Sequence, residues 1–335
     1  MASRQQRLAG LLNAAPIRPW LRAFPTWKGV LVLNYHRIGD SEHQPWDRTL
    51  WSVTEQQFDD QLSVLAREAD VIGPGDLASV LAAGKGRHVM LTFDDGYRDN
   101  YELALPLLRS HGLTATFFLA TGFIDDPRVA WWDEIAWIVR RASAEEIPAG
   151  NWLASAVSLG DDPDAAIAEL VQIYKRIPDA ERPAYLGFLA AATGSGPCAP
   201  AEAAGMWMTW DMARELRDAG MSIGGHTVTH PLLGQISPER QRAEIDECAR
   251  RLREELSDPM RWFAYPVGSR DAFGATTKEI LRSHDVEYAF SFYGGYLSGA
   301  ARDRYDIPRV HVGPMMDIPR LRATLRMPQL FARSD

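Results

Sequence analysis

Four short apolar runs in the 335-residue chain end in side chains or backbone able to do chemistry. Run 88–93 closes on Asp94, Asp95 and Gly96, and run 221–225 leads into His226, Thr227, Val228, Thr229, His230 and Pro231. Run 30–35 ends at His36, and run 261–265 ends at Pro266, Val267 and Gly268. Successive side chains of a strand alternate in direction, so adjacent aspartates at a strand end cannot point the same way. One can ligate a metal ion while its neighbour faces a reacting water. Histidines at i and i+4 lie on one face of a helical turn and reach the same ion. One carboxylate and two imidazoles leave an open coordination position, the arrangement of catalytic rather than structural zinc. A water held there has its pKa lowered to roughly 7, and the second aspartate can serve it as general base. An Asp-Asp pair alone is usually a solvated turn, and His-x-x-x-His alone is usually a helix surface. The specific signal is their joint occurrence at strand ends.

The elements that must position these groups are legible as alternating patterns. Runs 30–34, 88–93, 114–120, 221–225, 261–265, 288–292 and 307–312 are mostly continuous rather than alternating, as in strands buried on both faces. Between them, Thr54 and Gln57 have capping-box spacing. A helical pattern from Asn100 to Ser110 stops at Gly112, and one from Trp210 to Ala219 stops at Gly220. Ser237 and Pro238 open a long charged helix to about Leu256, and Thr276 with Glu279 forms a second capping-box pair. Strands alternating with helices predict a parallel sheet, and seven or eight strands favour a barrel over an open sheet. In a barrel all strand C-termini open on one rim, where such folds carry their sites. The stretch 125–205 breaks the pattern with Trp131, Trp132, Trp137, Trp152 and an alanine-rich helical run. It is too long for a βα connection, which predicts a helical insertion, as a subdomain or lid.

Composition sets the outer bounds. With 36 basic and 44 acidic residues, net charge −8, no basic field attracts nucleic acid, and no nucleic-acid partner is expected. Cys198 and Cys248 are isolated, which fits a reducing compartment and no dependence on disulfides. Residues 1–39 contain no Asp or Glu, and 1–27 read as a basic amphipathic segment. It packs on the domain or forms a tail, with peripheral contact to an anionic membrane as the alternative. No secretory signal and no spanning apolar stretch is visible, so a cytoplasmic location is expected, with the inner membrane face as the alternative.

Thr92-Phe93-Asp94-Asp95-Gly96 and His226-Thr227-Val228-Thr229-His230-Pro231 resemble the polysaccharide deacetylases with NodB homology, carbohydrate esterase family 4. Phe263-Ala264-Tyr265-Pro266-Val267-Gly268 is similar to a third family segment, and the resemblance covers roughly 28–122 and 206–312. It implies an α/β fold, a deformed (β/α) barrel of the NodB-homology type over 28–320, with the insertion at about 125–205 and a tail at 321–335. It further implies metal-dependent removal of N-acetyl groups from amino sugars of a glycan or glycolipid. By resemblance Asp94 is the general base, and Asp95, His226 and His230 hold Zn2+ or another divalent transition metal. The third segment departs from the family's Arg-x-Pro-Tyr: the arginine position is Ala264 and the tyrosine position Val267. Arg270 or another residue then supplies the charge that orients the base, or nothing does, while the Val267 backbone N–H still suits an oxyanion. The general acid of the family is a late-strand histidine, at the place of His311. In some biofilm-polysaccharide deacetylases it is instead a histidine in an early Tyr-His pair, matched by Tyr35-His36, and His36 is the preferred assignment. Tyr97, Arg98 and Tyr265 are expected to line the substrate cleft. The alternatives are a deformylase or amidase on a lipid-linked or small amino-sugar substrate, and a catalytically inactive carbohydrate-binding protein. Retention of Asp94, Asp95, His226 and His230 argues against the last.

Overall fold

The computed structural model describes residues 27–160, 162–298 and 303–332. Residues 1–26, which carry the amphipathic N-terminal expectation, lie outside the described residues. Two compact units are present. The first comprises the described residues up to Gly39 with 51–125 and 208 onward, and the second comprises 40–50 and 126–207.

In chain order the described strands are β1 Gly29–Tyr35, β2 Arg37–Ile38, β3 Trp51–Val53, β4 Asp70–Val71, β5 Arg87–Phe93 and β6 Thr116–Leu119. They continue as β7 Glu146–Ile147, β8 Val157–Ser158, β9 Ser222–Gly225, β10 Trp262–Ala264, β11 Tyr288–Phe290 and β12 Val310–His311. The first unit is built on one parallel sheet in the order β11-β10-β9-β6-β5-β1-β12, with β4 also paired to β5. All seven predicted strand runs are members of it. The sheet curls into a deformed (β/α) barrel, and a single segment links its two edge strands. Ile307 pairs with Phe290 of β11, and three residues later Val310 pairs with Leu33 of β1. Pro308 lies between the two pairings, where a missing backbone N–H does least harm.

The strands bury both faces, which is why their sequences run apolar without alternation. Val30, Val32, Met90, Phe118, Trp262, Ala264, Phe290 and Ile307 form the barrel-interior cluster. Leu31, Leu33, Val89, Leu91, Phe93, Phe117, Phe263, Tyr265 and Val310 pack outward against the helices. Inward and outward positions thus alternate with period two along each strand. Helix Glu55–Glu68 starts with the expected capping box of Thr54 and Gln57. Helix Pro238–Leu256 is capped by Ser237 with Pro238 in its first turn.

Three expectations about helices are corrected. Helix Ala275–Ser283 starts earlier than a Thr276 cap would place it, and Thr277 Oγ1 accepts the Gly274 amide at 3.2 Å. The 100–110 pattern divides into a π-helical turn, Asn100–Ala104, and helix Leu105–Ser110. Residues 321–332 are no tail: helix Ile318–Arg326 buries Leu321 and Leu325 in the core, and the indole of buried Trp27 donates to Leu325 O at 2.6 Å.

The second unit holds helices Trp131–Arg140, Pro163–Arg176 and Arg182–Thr193 and the short antiparallel pair β7–β8. Trp131 stacks on Tyr174 with ring centroids 4.2 Å apart, so this tryptophan serves packing within the unit. Residues 40–50 join it, the Asp47 amide donating to Asp133 Oδ1 at 2.9 Å.

Candidate active site

Asp94 and Asp95 follow β5 directly. Asp94 continues the inward positions Met90 and Thr92 and is buried in the barrel mouth. Its carboxylate accepts two parallel bonds from Arg309, Nη1 to Oδ1 at 2.7 Å and Nη2 to Oδ2 at 2.8 Å. Asn34 Nδ2 donates to Oδ2 at 3.2 Å, and Asn34 Oδ1 in turn accepts Arg309 Nη1 and Thr92 Oγ1, both at 2.7 Å. Arg309, itself fully buried, also donates to Ser291 O at 3.1 Å. Burial alone would raise the pKa of Asp94, but the Arg309 guanidinium, aided by His226 and His36, overrides it and holds the carboxyl well below the usual range. A charge-assisted bidentate pair of this kind keeps the carboxylate ionised and fixed in direction.

Asp95 turns away from its neighbour through a left-handed backbone, φ 76°. Its Oδ1 lies 3.4 Å from His226 Nε2 and 3.4 Å from His230 Nε2, and it receives no hydrogen bond. The three ligand-type atoms lie within 4.8 Å of one another, and all three residues are buried. Tetrahedral ligands about 2.0–2.2 Å from a metal stand roughly 3.3–3.6 Å apart, so the arrangement fits a divalent cation. His226 Nδ1 contacts Ala264 O at 2.7 Å, which places the ring proton there and leaves Nε2 as a lone pair facing the site. Burial lowers the His226 pKa, but Asp94 and Asp95 outweigh it and the net direction is up. For His230 burial wins, pushing it down to about 3, so its imidazole is neutral.

The turn that presents the two histidines is not the helical turn expected from their spacing. Thr227 and His230 both have left-handed backbones, φ 65° and 55°. The His230 amide donates to Thr227 Oγ1 at 3.1 Å and closes the loop. Asp95, Thr227, His230 and Val267 (φ 63°) make four of the six positive-φ residues other than glycine among those described. Such strain, of order 1–3 kcal/mol per residue, gathers at functional sites. Val267 sits at the apex of a tight turn, Gly268 N–H to Pro266 O at 2.7 Å, and its own amide has no acceptor among the described residues.

His36 directly follows β1, with Nε2 4.0 Å from Asp94 Oδ2 and a buried Nδ1 without a partner. Its backbone is held on both sides. The His36 amide donates to Ser52 Oγ at 3.0 Å, and Asn100 Nδ2 donates to His36 O at 2.6 Å. Asp99 accepts Arg37 Nε at 2.9 Å and the Ile38 amide at 3.0 Å. His311 lies on β12, and its ring and that of His36 both meet Phe292, each with centroids 5.6 Å apart. It lines a cavity of about 380 Å³ with Phe292, Val310, Met316 and Phe331, and its ring centroid is 6.5 Å from that of His36.

Three side chains expected at the cleft or the base are elsewhere. Tyr265 is an outward residue by strand parity. It is fully buried, stacks on Phe273 at 3.8 Å and donates to Tyr305 O at 2.8 Å, so it packs the core. Tyr97 is also fully buried, with the Arg37 guanidinium 4.3 Å from its ring centroid. Arg270 lies over Tyr293 at 3.9 Å and not at the base; the positive charge beside Asp94 comes from Arg309. Arg98 remains partly exposed and pairs with Glu102 at 2.6 Å. Arg309 was missed because one arginine in 307–312 forms no motif. Its signal is parity: Ile307, Arg309 and His311 share a face opposite Val310 and Val312, so the guanidinium must point into the barrel.

A family model described as Polysaccharide deacetylase matches residues 82–155 and 167–289. That range includes both aspartates, both histidines and Val267, but neither His36 nor Arg309. Among solved structures, the Streptococcus pyogenes deacetylase PplD in complex with acetate superposes with TM-score 0.57 at 19% identity, covering 92% of this chain and 100% of that one. IcaB from Ammonifex degensii superposes with TM-score 0.56 at 19% identity, covering 92% and 99%. These likenesses extend the common fold beyond the matched range, over both ends of the barrel. A segment of 31 residues is 55% identical to the Bacillus subtilis (strain 168) protein named "Putative polysaccharide deacetylase YxkH", and spans 9% of this chain and 11% of that one. With the family model covering more than half of the sequence and both of its aspartate and histidine motifs, the chain belongs to the polysaccharide deacetylase family.

Proposed function

We propose that the protein is a metal-dependent hydrolase that removes N-acetyl groups from amino sugars of a glycan or glycolipid. The observation that carries this is the buried Asp95–His226–His230 cluster beside an aspartate held ionised by Arg309. Asp95, His226 and His230 would hold a divalent cation, with zinc the first choice for two nitrogens and one oxygen. A cation held there would supply Lewis-acid polarisation of the acetyl carbonyl and a water made nucleophilic near neutral pH. Asp94 takes the proton from the attacking water, its direction set by the Arg309 fork and Asn34. The unpaired Val267 amide donates to the developing oxyanion. His36, 4.0 Å from Asp94, passes the proton that Asp94 took from the water on to the departing amine. Acetate and the free amine are the products.

Release of acetate from N-acetylated amino-sugar oligosaccharides tests this directly. Asp94→Asn is expected to lower kcat by about 10²–10⁴-fold, the usual worth of a general base, while metal content stays unchanged. Glycan binding without turnover by the unaltered protein would instead support a carbohydrate-binding protein.

A further inference from the structure

Helix Pro238–Leu256 turns a buried stripe of Gln241, Ile245, Cys248, Ala249 and Leu252 toward the barrel, and within that stripe stands a carboxylate, Glu244, only 7% exposed. No basic side chain among the described residues pairs with it. Its oxygens go entirely to the turn between the two histidines. Oε2 accepts the amides of Val228 at 2.9 Å and Thr229 at 2.8 Å, and Oε1 accepts the Thr229 hydroxyl. The turn is gripped from the other side too, by the Thr121 amide on Thr227 O at 3.1 Å and the Gly122 amide on Val228 O at 3.0 Å. A Cβ at residue 122 would sit 2.6 Å from Val228 O, so only glycine permits that approach.

A glutamine could accept the two amide bonds without the desolvation cost of a buried charge, which is several kcal/mol per ion. Closing the turn therefore does not by itself require a carboxylate. A charge adds a fixed negative potential behind two imidazoles, and this favours a cation held between them. We propose that Glu244 is the positioning residue of the metal site: it locks the His226–His230 turn in its left-handed, ligating form and strengthens cation binding by its charge. This rests on Asp95, His226 and His230 being metal ligands.

Zinc affinity measured by competition with a chromophoric chelator, beside the thermal midpoint of the metal-free protein, tests it. Glu244→Gln is expected to bind zinc about 10–100-fold more weakly, the usual effect of losing an outer partner of a ligand, with the metal-free midpoint nearly unchanged. Thr229→Val keeps both amide bonds and loses one hydroxyl, for an expected loss of about threefold to tenfold. Unchanged affinity in Glu244→Gln overturns the proposal, as does a lowered metal-free midpoint with unchanged affinity. Should Glu244→Gln fail to fold, Thr229→Val decides, and zinc affinity equal to wild type overturns the proposal. Absence of zinc binding in the wild type would overturn the metal-ligand reading itself, an outcome distinct from a loss confined to the variants.

Discussion

At the scale of single residues, the account turns on the pairing of Asp94 with Arg309. Both side chains are buried, 3% and 0% exposed, so removing one leaves the other charged without a counter-ion. Arg309→Met is expected to destabilise the fold by about 3–5 kcal/mol, read by urea unfolding. It also shifts the pH dependence. Asp94 has a depressed folded-state pKa, so its stabilising contribution is present at neutral pH and is lost only as pH falls through that low value. Without the guanidinium, burial raises the pKa, and acid destabilisation of Arg309→Met sets in at higher pH than in the wild type. A variant as stable as wild type, with the same acid limb, would contradict the pairing. The sequence carried the aspartates and histidines plainly, because each stands next to its motif partner at a strand end. Arg309 is some 215 residues from its partner in the chain, and only strand parity points to it. The same parity, applied to Phe263 and Tyr265, would have placed Tyr265 in the helix-facing core.

At the scale of elements, strained turns at the strand ends set the direction of each group. The tightest is Pro266–Gly268, where Gly268 has φ 63° and an added Cβ would lie 2.7 Å from Phe292 N. Gly268→Ala is expected to cost about 1–3 kcal/mol of stability. Because the turn also aims the Val267 amide, kcat should fall with little change in KM, as for an interaction made in the transition state. Full activity in a stably folded Gly268→Ala would remove Val267 from the oxyanion role. These turns were not legible. Thr227, His230 and Val267 are not residues that announce a positive φ, and i, i+4 spacing suggests a helix where the chain makes a clamped loop. The strands and the helix starting at Thr54 were legible, since continuous apolar runs and a capping box are local signals that the barrel does not override.

At the scale of the whole molecule, the barrel seam joins an early and a late segment, around Asn34 and Arg309, at one site. β1 brings Asn34 and His36, and the segment that links the edge strands brings Arg309. No helix among the described residues is long and apolar enough to cross a membrane. Strand count and the alternating pattern made the barrel legible, whereas the extent of the second unit was not: 40–50 joins it from far along the sequence. Since all assigned groups lie between Asn34 and Arg309, deleting residues 1–26 is expected to leave acetate release from a soluble oligosaccharide unchanged. A chelator should abolish that release, and added zinc should restore it. The most direct measurement is the metal content of the purified protein by elemental mass spectrometry, beside an Asp95→Ala, His226→Ala double variant. The account predicts about one transition-metal ion per chain, absent from the variant; a wild-type protein that holds none even after incubation with zinc would contradict it.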